Sequence, residues 1–397
     1  MQNAPRRAGR HFLQIPGPTP VPDRILRAMD MPVIDHRGPE FKALGLRVLA
    51  GIKTIFKTSG HVFIYPSSGT GAWEAALANT LSPGDKVLMY ETGHFASLWR
   101  TIAARLGLEP EFIASDWRSG VDAGAIEARL RDDKAQAIKA VCVVHNETST
   151  GAASRIDEVR NAIDAAKHPA LLMVDTISSL ASIDYRHDQW GVDVTVGGSQ
   201  KGLMLPPGLG FNAVSAKALA LAAAGRLKRS YFSWDEMLPA NREGFFPYTP
   251  ATNLLYGLAE AIDMLNEEGL EQVFQRHDRH AEGTRRAVNA WGLEILCRDA
   301  KYYSSSLTAV LMPPGHDADQ LRKVALDAFD ISLGTGLSKV AKKVFRIGHL
   351  GDTNDLTMVG ALAGVEMALS LAKVPHTPGG VRAAMDYFAA AAELGRG

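Results

Sequence analysis

Cysteine is scarce in this 397-residue chain, with Cys142 and Cys297 as its only two, far apart. They form no CxxC pair and no Cys/His cluster, which argues against a disulfide framework or a structural zinc site and suits a reducing, cytoplasmic setting. Charge of one sign is not in excess either. Lys+Arg and Asp+Glu number 43 each, so there is no electrostatic footprint for nucleic acid or an anionic membrane. Apolar stretches such as Ala218 to Ala224 fall far short of the ~20 residues a membrane helix needs. The start, MQNAPRRAGRHF, has basic residues but no apolar run and is not expected to be a secretory signal. Two nucleotide-binding fingerprints are missing as well. Gly69-Thr70-Gly71 lacks the third glycine of a dinucleotide loop, and no Gly-Lys-Ser/Thr follows it. What remains is an ordinary soluble composition, 46% hydrophobic and 22% charged, in a chain long enough for two domains.

Within that composition, strand-like and helix-like segments alternate. Val62-Phe63-Ile64-Tyr65 runs into Pro66 to Gly71 (PSSGTG) and then a helical stretch from Ala72. Further apolar strands are expected at Lys86 to Tyr90, Ala140 to His145 and Ala170 to Val174, each separated by a helix. Continuous rather than alternating apolar strands predict a mostly parallel sheet covered on both faces. In such sheets ligands sit at the carboxyl ends of the strands. Those ends carry Ser68, Asn146 to Thr148, Asp175, and Ser199 to Lys201.

Each candidate also has a plainer reading. The small-residue loop PSSGTG is either a phosphate cradle at a helix N-terminus or an ordinary cap. Asp175 is either a partner for a ring nitrogen or the cap of the next turn. His36 and Arg37 read equally well as turn charges. Lys201, in VTVGGSQKGLMLPPGLG, sits on the rigid exit of a strand, where a partly desolvated amine is easier to deprotonate and can attack a carbonyl. Phosphate cradle, carboxylate and lysine taken together describe pyridoxal phosphate. His277 and His280, in a stretch that reads as a long solvated linking helix, lack matching metal ligands and are expected at the surface.

The segments IPGPTPVP, PSSGTGAWEAALANTLSPGDKV, VVHNETSTG, ALLMVDTISSL, WGVDVTVGGSQKGLMLPPGLG, FPYTPATNLLYGL and KVFRIGHLGDTN resemble the class V, fold-type I pyridoxal-phosphate aminotransferases. More narrowly, they are similar to the serine–glyoxylate and alanine–glyoxylate aminotransferases. The resemblance implies an α/β fold, with an arm (1–20), a large cofactor-binding domain (21–265) and a smaller C-terminal α+β domain (266–397). It implies that Lys201 forms the Schiff base with the cofactor and shuttles a proton, and that Asp175 binds the pyridine nitrogen. Ile177 and Phe95 would cover the two ring faces. Ser68, Gly69, Thr70 and Gln200 would hold the phosphate, and Thr148 the ring hydroxyl. Arg346 would pair with the substrate carboxylate, and Gly17 would line the substrate pocket. Thr249 would reach the phosphate of a neighbouring subunit, which implies a homodimer with shared sites, open to pairing into a tetramer.

Two positions depart from the family pattern. Phe246 stands where some relatives have tyrosine, and Thr176-Ile177 stand where Gly-Val is usual. The expected reaction moves the amino group of L-serine to glyoxylate, with alanine or aspartate as alternative donors. A lyase or desulfurase and a non-catalytic binding protein are the rival readings.

Overall fold

The computed structural model describes residues 8–394; the first seven residues of the expected arm lie outside them. A seven-stranded sheet dominates. From edge to edge it runs His61–Ser67, Gly208–Val214, Val194–Gly198, Leu171–Asp175, Ile138–Val144, Lys86–Tyr90 and Glu109–Ile113. The last five strands are mutually parallel, as the continuous apolar runs predict. Period-two alternation still sorts their side chains. Cys142, Met173 and Val196 enter one core, whereas Val141, Val143, Leu172 and Val174 enter another on the opposite face.

One strand was not legible as such. Gly208–Val214 pairs antiparallel with both His61–Ser67 and Val194–Gly198, although its PPGLG beginning reads as loop. Its glycines permit close approach: a Cβ on Gly210 would lie 2.6 Å from the Ser68 carbonyl oxygen. The helix Gly69–Thr80, rich in alanine, is thereby laid close against this strand.

A second sheet has the order Phe12–Gln14, Ile331–Thr335, Val344–Gly348, Leu307–Leu311, Glu294–Ile295. Phe12–Gln14 joins it by parallel pairing with Ile331 to Leu333. The apolar residues ahead of the proline-rich loop therefore pack within their own chain. A separate core beneath this sheet gathers Val310, Leu333, Phe345, Ile347, Leu362 and Val365.

The stretch around 265–290 is not one solvated helix. Gly269 (φ 85°) breaks it into Thr252–Glu268 and Leu270–Ala290. In the second helix Val273, His277, His280, Thr284 and Ala287 face inward at helical spacing. His277 and His280, expected at the surface, are 1% and 0% exposed. The many charges on the outer face hid this buried stripe. His277 Nδ1 donates to the Val273 carbonyl (2.7 Å) and its Nε2 accepts from the Gly351 N–H (3.1 Å). One donor and one acceptor define a neutral ring. His280 contacts Asp355 (3.1 Å) and Thr353 (3.3 Å). The pair thus ties down the HLGDTN loop that follows the Arg346 strand.

Burial pushes six histidines below their usual range: His145, His277 and His280 to about 3, His187 to about 4, His349 well down, and His61 also lowered. A histidine depressed in the folded state stabilises the fold fully above its unfolded value near 6.5 and loses that contribution as pH falls. Asp175, raised by burial, acts in the opposite sense but is a single group. Denaturant midpoints are therefore expected to be maximal above pH 6.5 and to fall steadily towards pH 5. Each of these histidines except the half-buried His61 contributes up to about 2 kcal/mol to that loss. A flat profile over this range would contradict the assignment.

Candidate active site

The polar residues predicted at the strand ends do meet on one rim. The strand Leu171–Asp175 ends in its carboxylate, and Val194–Gly198 feeds the tight turn holding Lys201. Lys201 is 7% exposed and Asp175 is 4% exposed. Arg346, on Val344–Gly348, arrives from the second sheet and is 6% exposed.

Desolvation sets the electrostatics. Burial brings the Lys201 amine down to about 7, helped by the positive charge of Arg346 and opposed by Asp175. Burial raises the Asp175 carboxyl to about 7, while the Ile177 N–H (2.6 Å) and Trp73 Nε1 (3.2 Å) favour its ionised form. Trp73 is itself fixed, stacked on Trp99 at 5.7 Å between ring centroids. The Lys201 ammonium donates to the Pro16 carbonyl. Thr19 holds the turn from the other side, its N–H on the Gln200 carbonyl (3.2 Å) and its hydroxyl on the Lys201 carbonyl (3.3 Å). The proline-rich loop is thus wrapped over the lysine. Gly17 is where the wrapping is tightest: φ is +88°, and a Cβ there would sit 2.2 Å from Lys201 Cδ. No other residue fits this crossing.

Arg346 is held but not neutralised. Its Nε donates to the Thr335 carbonyl and its Nη1 to the Thr148 carbonyl, each at 2.7 Å. Neither is a carboxylate, and among the described residues Arg346 makes no ion pair. A planar guanidinium fixed on one side and without a counter-ion suits an incoming carboxylate. Burial lowers its pKa to about 10, which leaves it charged at neutral pH.

The phosphate-cradle reading of PSSGTG passes a steric and a polar test. The helix Gly69–Thr80 begins at Ser68 with no side-chain cap and no acidic residue in its first turn, so its N–H groups and dipole remain available to an anion. A Cβ on Gly69 would meet Ile177 Cδ1 at 2.2 Å. A Cβ on Gly198 would lie 3.2 Å from Gln200 Oε1 and 3.6 Å from the Gly69 nitrogen, so three positions converge on one glycine-lined spot. Gln200 Oε1 is buried without a hydrogen-bond partner. Turning the amide end for end would present its NH2 donors there.

The other candidates make less direct contact with these groups. Thr148 is buried and donates its hydroxyl to Ser178 Oγ (2.8 Å). Phe95 lies in the first turn of the helix His94–Arg105, half-buried against the core that also receives Ile177. Thr176 turns away, with its hydroxyl on the Val196 carbonyl (2.9 Å). Thr249 is exposed on the loop before Thr252–Glu268, and among the described residues it makes no hydrogen bond to Ser68 or Gln200. Tyr248 stacks on Tyr231 and donates to Glu236 (2.9 Å), so within its own chain it does not take the place of a tyrosine at Phe246. His36 is half-buried, with its Nε2 unpartnered. Sequence reasoning missed Trp73, Ser178 and the Pro16 carbonyl, and it placed Glu147 on the rim without a role. Each acts through a partner distant in sequence, so none carries a local signature.

A lysine held near 7 makes a direct prediction. In ligand-free protein, acetylation of Lys201 by acetic anhydride, followed by mass spectrometry, should have its half-rise near pH 7, roughly three units below surface lysines. Asp175→Asn should move the half-rise lower still. A half-rise near 10 would show that the amine is solvated.

The profile of the family described as Aminotransferase class-V matches residues 12–352. A serine–glyoxylate aminotransferase of Methylorubrum extorquens is 50% identical over 392 residues, covering 97% of this chain and 98% of that protein. An L-aspartate–glyoxylate aminotransferase of Paracoccus denitrificans is 46% identical, covering 94% and 95%. The crystal structure of the pyridoxamine–pyruvate aminotransferase of Mesorhizobium loti superposes with a TM-score of 0.90 at 27% identity, over 98% of this chain and 99% of that one. With that breadth of match over both sheets and the rim between them, the chain belongs to the class V aminotransferase family.

Proposed function

We propose that this aminotransferase moves the amino group of L-serine to glyoxylate, yielding hydroxypyruvate and glycine by a ping-pong cycle on pyridoxal phosphate. The observation that carries the reading is the buried Lys201 amine near neutrality, facing Asp175 on the same rim and the uncompensated Arg346. The uncapped helix start at Ser68 and the orphaned Gln200 amide fit the phosphate of that cofactor. Bound there, pyridoxal phosphate supplies an electron sink for the pair released when the donor loses its Cα proton.

The chain's own residues do the rest. Lys201 would anchor the cofactor, and its Nζ, as a free amine, would take the donor's Cα proton. A pKa near 7 leaves enough free amine for this at neutral pH. Asp175 would keep a proton on the ring nitrogen, whose positive charge would favour the ionised carboxylate. Ile177 and Phe95 would cover the faces of the cofactor ring, and Thr148 would meet its hydroxyl. Ser68, Gly69, Thr70 and Gln200 would hold the phosphate, joined by Thr249 of the partner subunit in a cytoplasmic homodimer. Arg346 takes the α-carboxylate of donor and acceptor in turn, with Gly17 lining the pocket. Because every amino-acid donor carries that carboxylate, alanine and aspartate remain alternative donors.

The desulfurase reading needs a mobile, exposed thiol. Cys142 and Cys297 are 2% and 1% exposed, and burial raises both thiols, Cys297 to about 11.

The direct test is the cofactor's absorbance during titration with L-serine, L-alanine and L-aspartate separately, then with glyoxylate. L-serine should bleach the band and glyoxylate restore it, and Lys201→Ala should abolish the cycle. A band inert to all three donors would end the transaminase reading. Gly69→Ala should weaken cofactor binding tenfold or more, measured by fluorescence titration, because its Cβ overlaps Ile177.

A further inference from the structure

Glu147 is 0% exposed and makes no ion pair among the described residues. Its carboxylate instead accepts from the N–H groups of Phe95 (3.3 Å) and Ala96 (3.1 Å), and from the N–H (3.0 Å) and hydroxyl (2.6 Å) of Ser149. Ser149 Oγ in turn accepts from the His94 N–H (2.9 Å). The opening turn of the helix His94–Arg105 is therefore capped by side chains from another part of the chain, with a negative charge at the positive end of its dipole. The fit is tight: a Cβ on Gly93 would come within 2.5 Å of Glu147 Cγ.

Residue 148, lying between the two capping residues, serves the other side. Its carbonyl receives Arg346 Nη1 and its hydroxyl meets Ser178 Oγ, three residues beyond Asp175. One tripeptide thus fastens Phe95, Arg346 and the Asp175 loop together. Without pairing to either, the Glu147 carboxylate is also near enough to bear on Arg346 and Asp175 through their charges.

We infer that Glu147 is a positioning residue for the transamination: by capping the Phe95 helix from the strand segment that holds Arg346, it sets the aromatic face and the carboxylate-binding guanidinium in register. The inference rests on the proposed function for the ring-covering role of Phe95 and the carboxylate-binding role of Arg346. All four groups on the carboxylate are donors, so Glu147→Gln sets an amide N–H against one of them and removes the charge.

The holoenzyme of Glu147→Gln is compared with that of Glu366→Gln. Glu366 is a carboxylate that likewise takes N–H groups, from Trp291, Gly379 and Val381, but it lies half-buried on the helix Asp355–Leu371, away from the rim. Both variants should lower the thermal midpoint. Only Glu147→Gln should raise KM about tenfold for both serine and glyoxylate and change the visible circular dichroism of the bound cofactor. Phe95→Leu should then add less in the Glu147→Gln background than in the wild type. Unchanged KM values and dichroism, with only the midpoint lowered, would overturn the inference and leave Glu147 a plain helix cap. Should Glu147→Gln not fold, Ser149→Ala decides the matter: a rise in both KM values of about threefold supports the role, and unchanged values overturn it. Failure of the wild type to transaminate would instead overturn the functional reading itself.

Discussion

The buried amine of Lys201 is the group on which the rest of the site depends. A lysine ammonium enclosed at 7% exposure would be costly if nothing answered it. Here the answer is divided among the Pro16 carbonyl, the Asp175 carboxylate and a fall in the amine's own basicity. Asp175 in turn is kept available by the Ile177 N–H and the Trp73 indole, neither of which neutralises it. The result is two groups of opposite type, both brought close to neutrality by the same low-dielectric surroundings.

Such an enclosure needs walls from more than one part of the fold. The large sheet supplies the lysine and the aspartate, and the second sheet supplies Arg346. The proline-rich loop spans them, because Phe12–Gln14 is itself a strand of the second sheet while Thr19 bonds to the Lys201 turn. Gln14 adds a further tie, its amide on the Gly348 carbonyl two residues beyond Arg346. The glycines in this crossing answer a steric demand. Gly17 against Lys201 and Gly348 against the Ile15 carbonyl leave no room for a side chain. Behind Arg346, His277 and His280 hold the following loop through neutral rings.

The sequence alone determined the alternation of apolar strands and helices, and with it a mostly parallel sheet and a ligand rim at its carboxyl ends. Those features rest on local patterning, which needs no knowledge of distant neighbours. It also determined the candidates Lys201, Asp175, Arg346 and the Ser68–Thr70 loop, through motifs specific enough to imply the family. Only the tertiary structure decided that Gly208–Val214 is an antiparallel strand, since pairing on both edges overrode its loop-like composition. Only tertiary packing buried His277 and His280, because an average over a polar helix conceals a stripe at three- and four-residue spacing. The contacts of Trp73, Glu147 and the Pro16 carbonyl likewise exist only in three dimensions. Each acts on a residue dozens to nearly two hundred positions away, and burial, which sets the charges of the site, is a property of the folded chain.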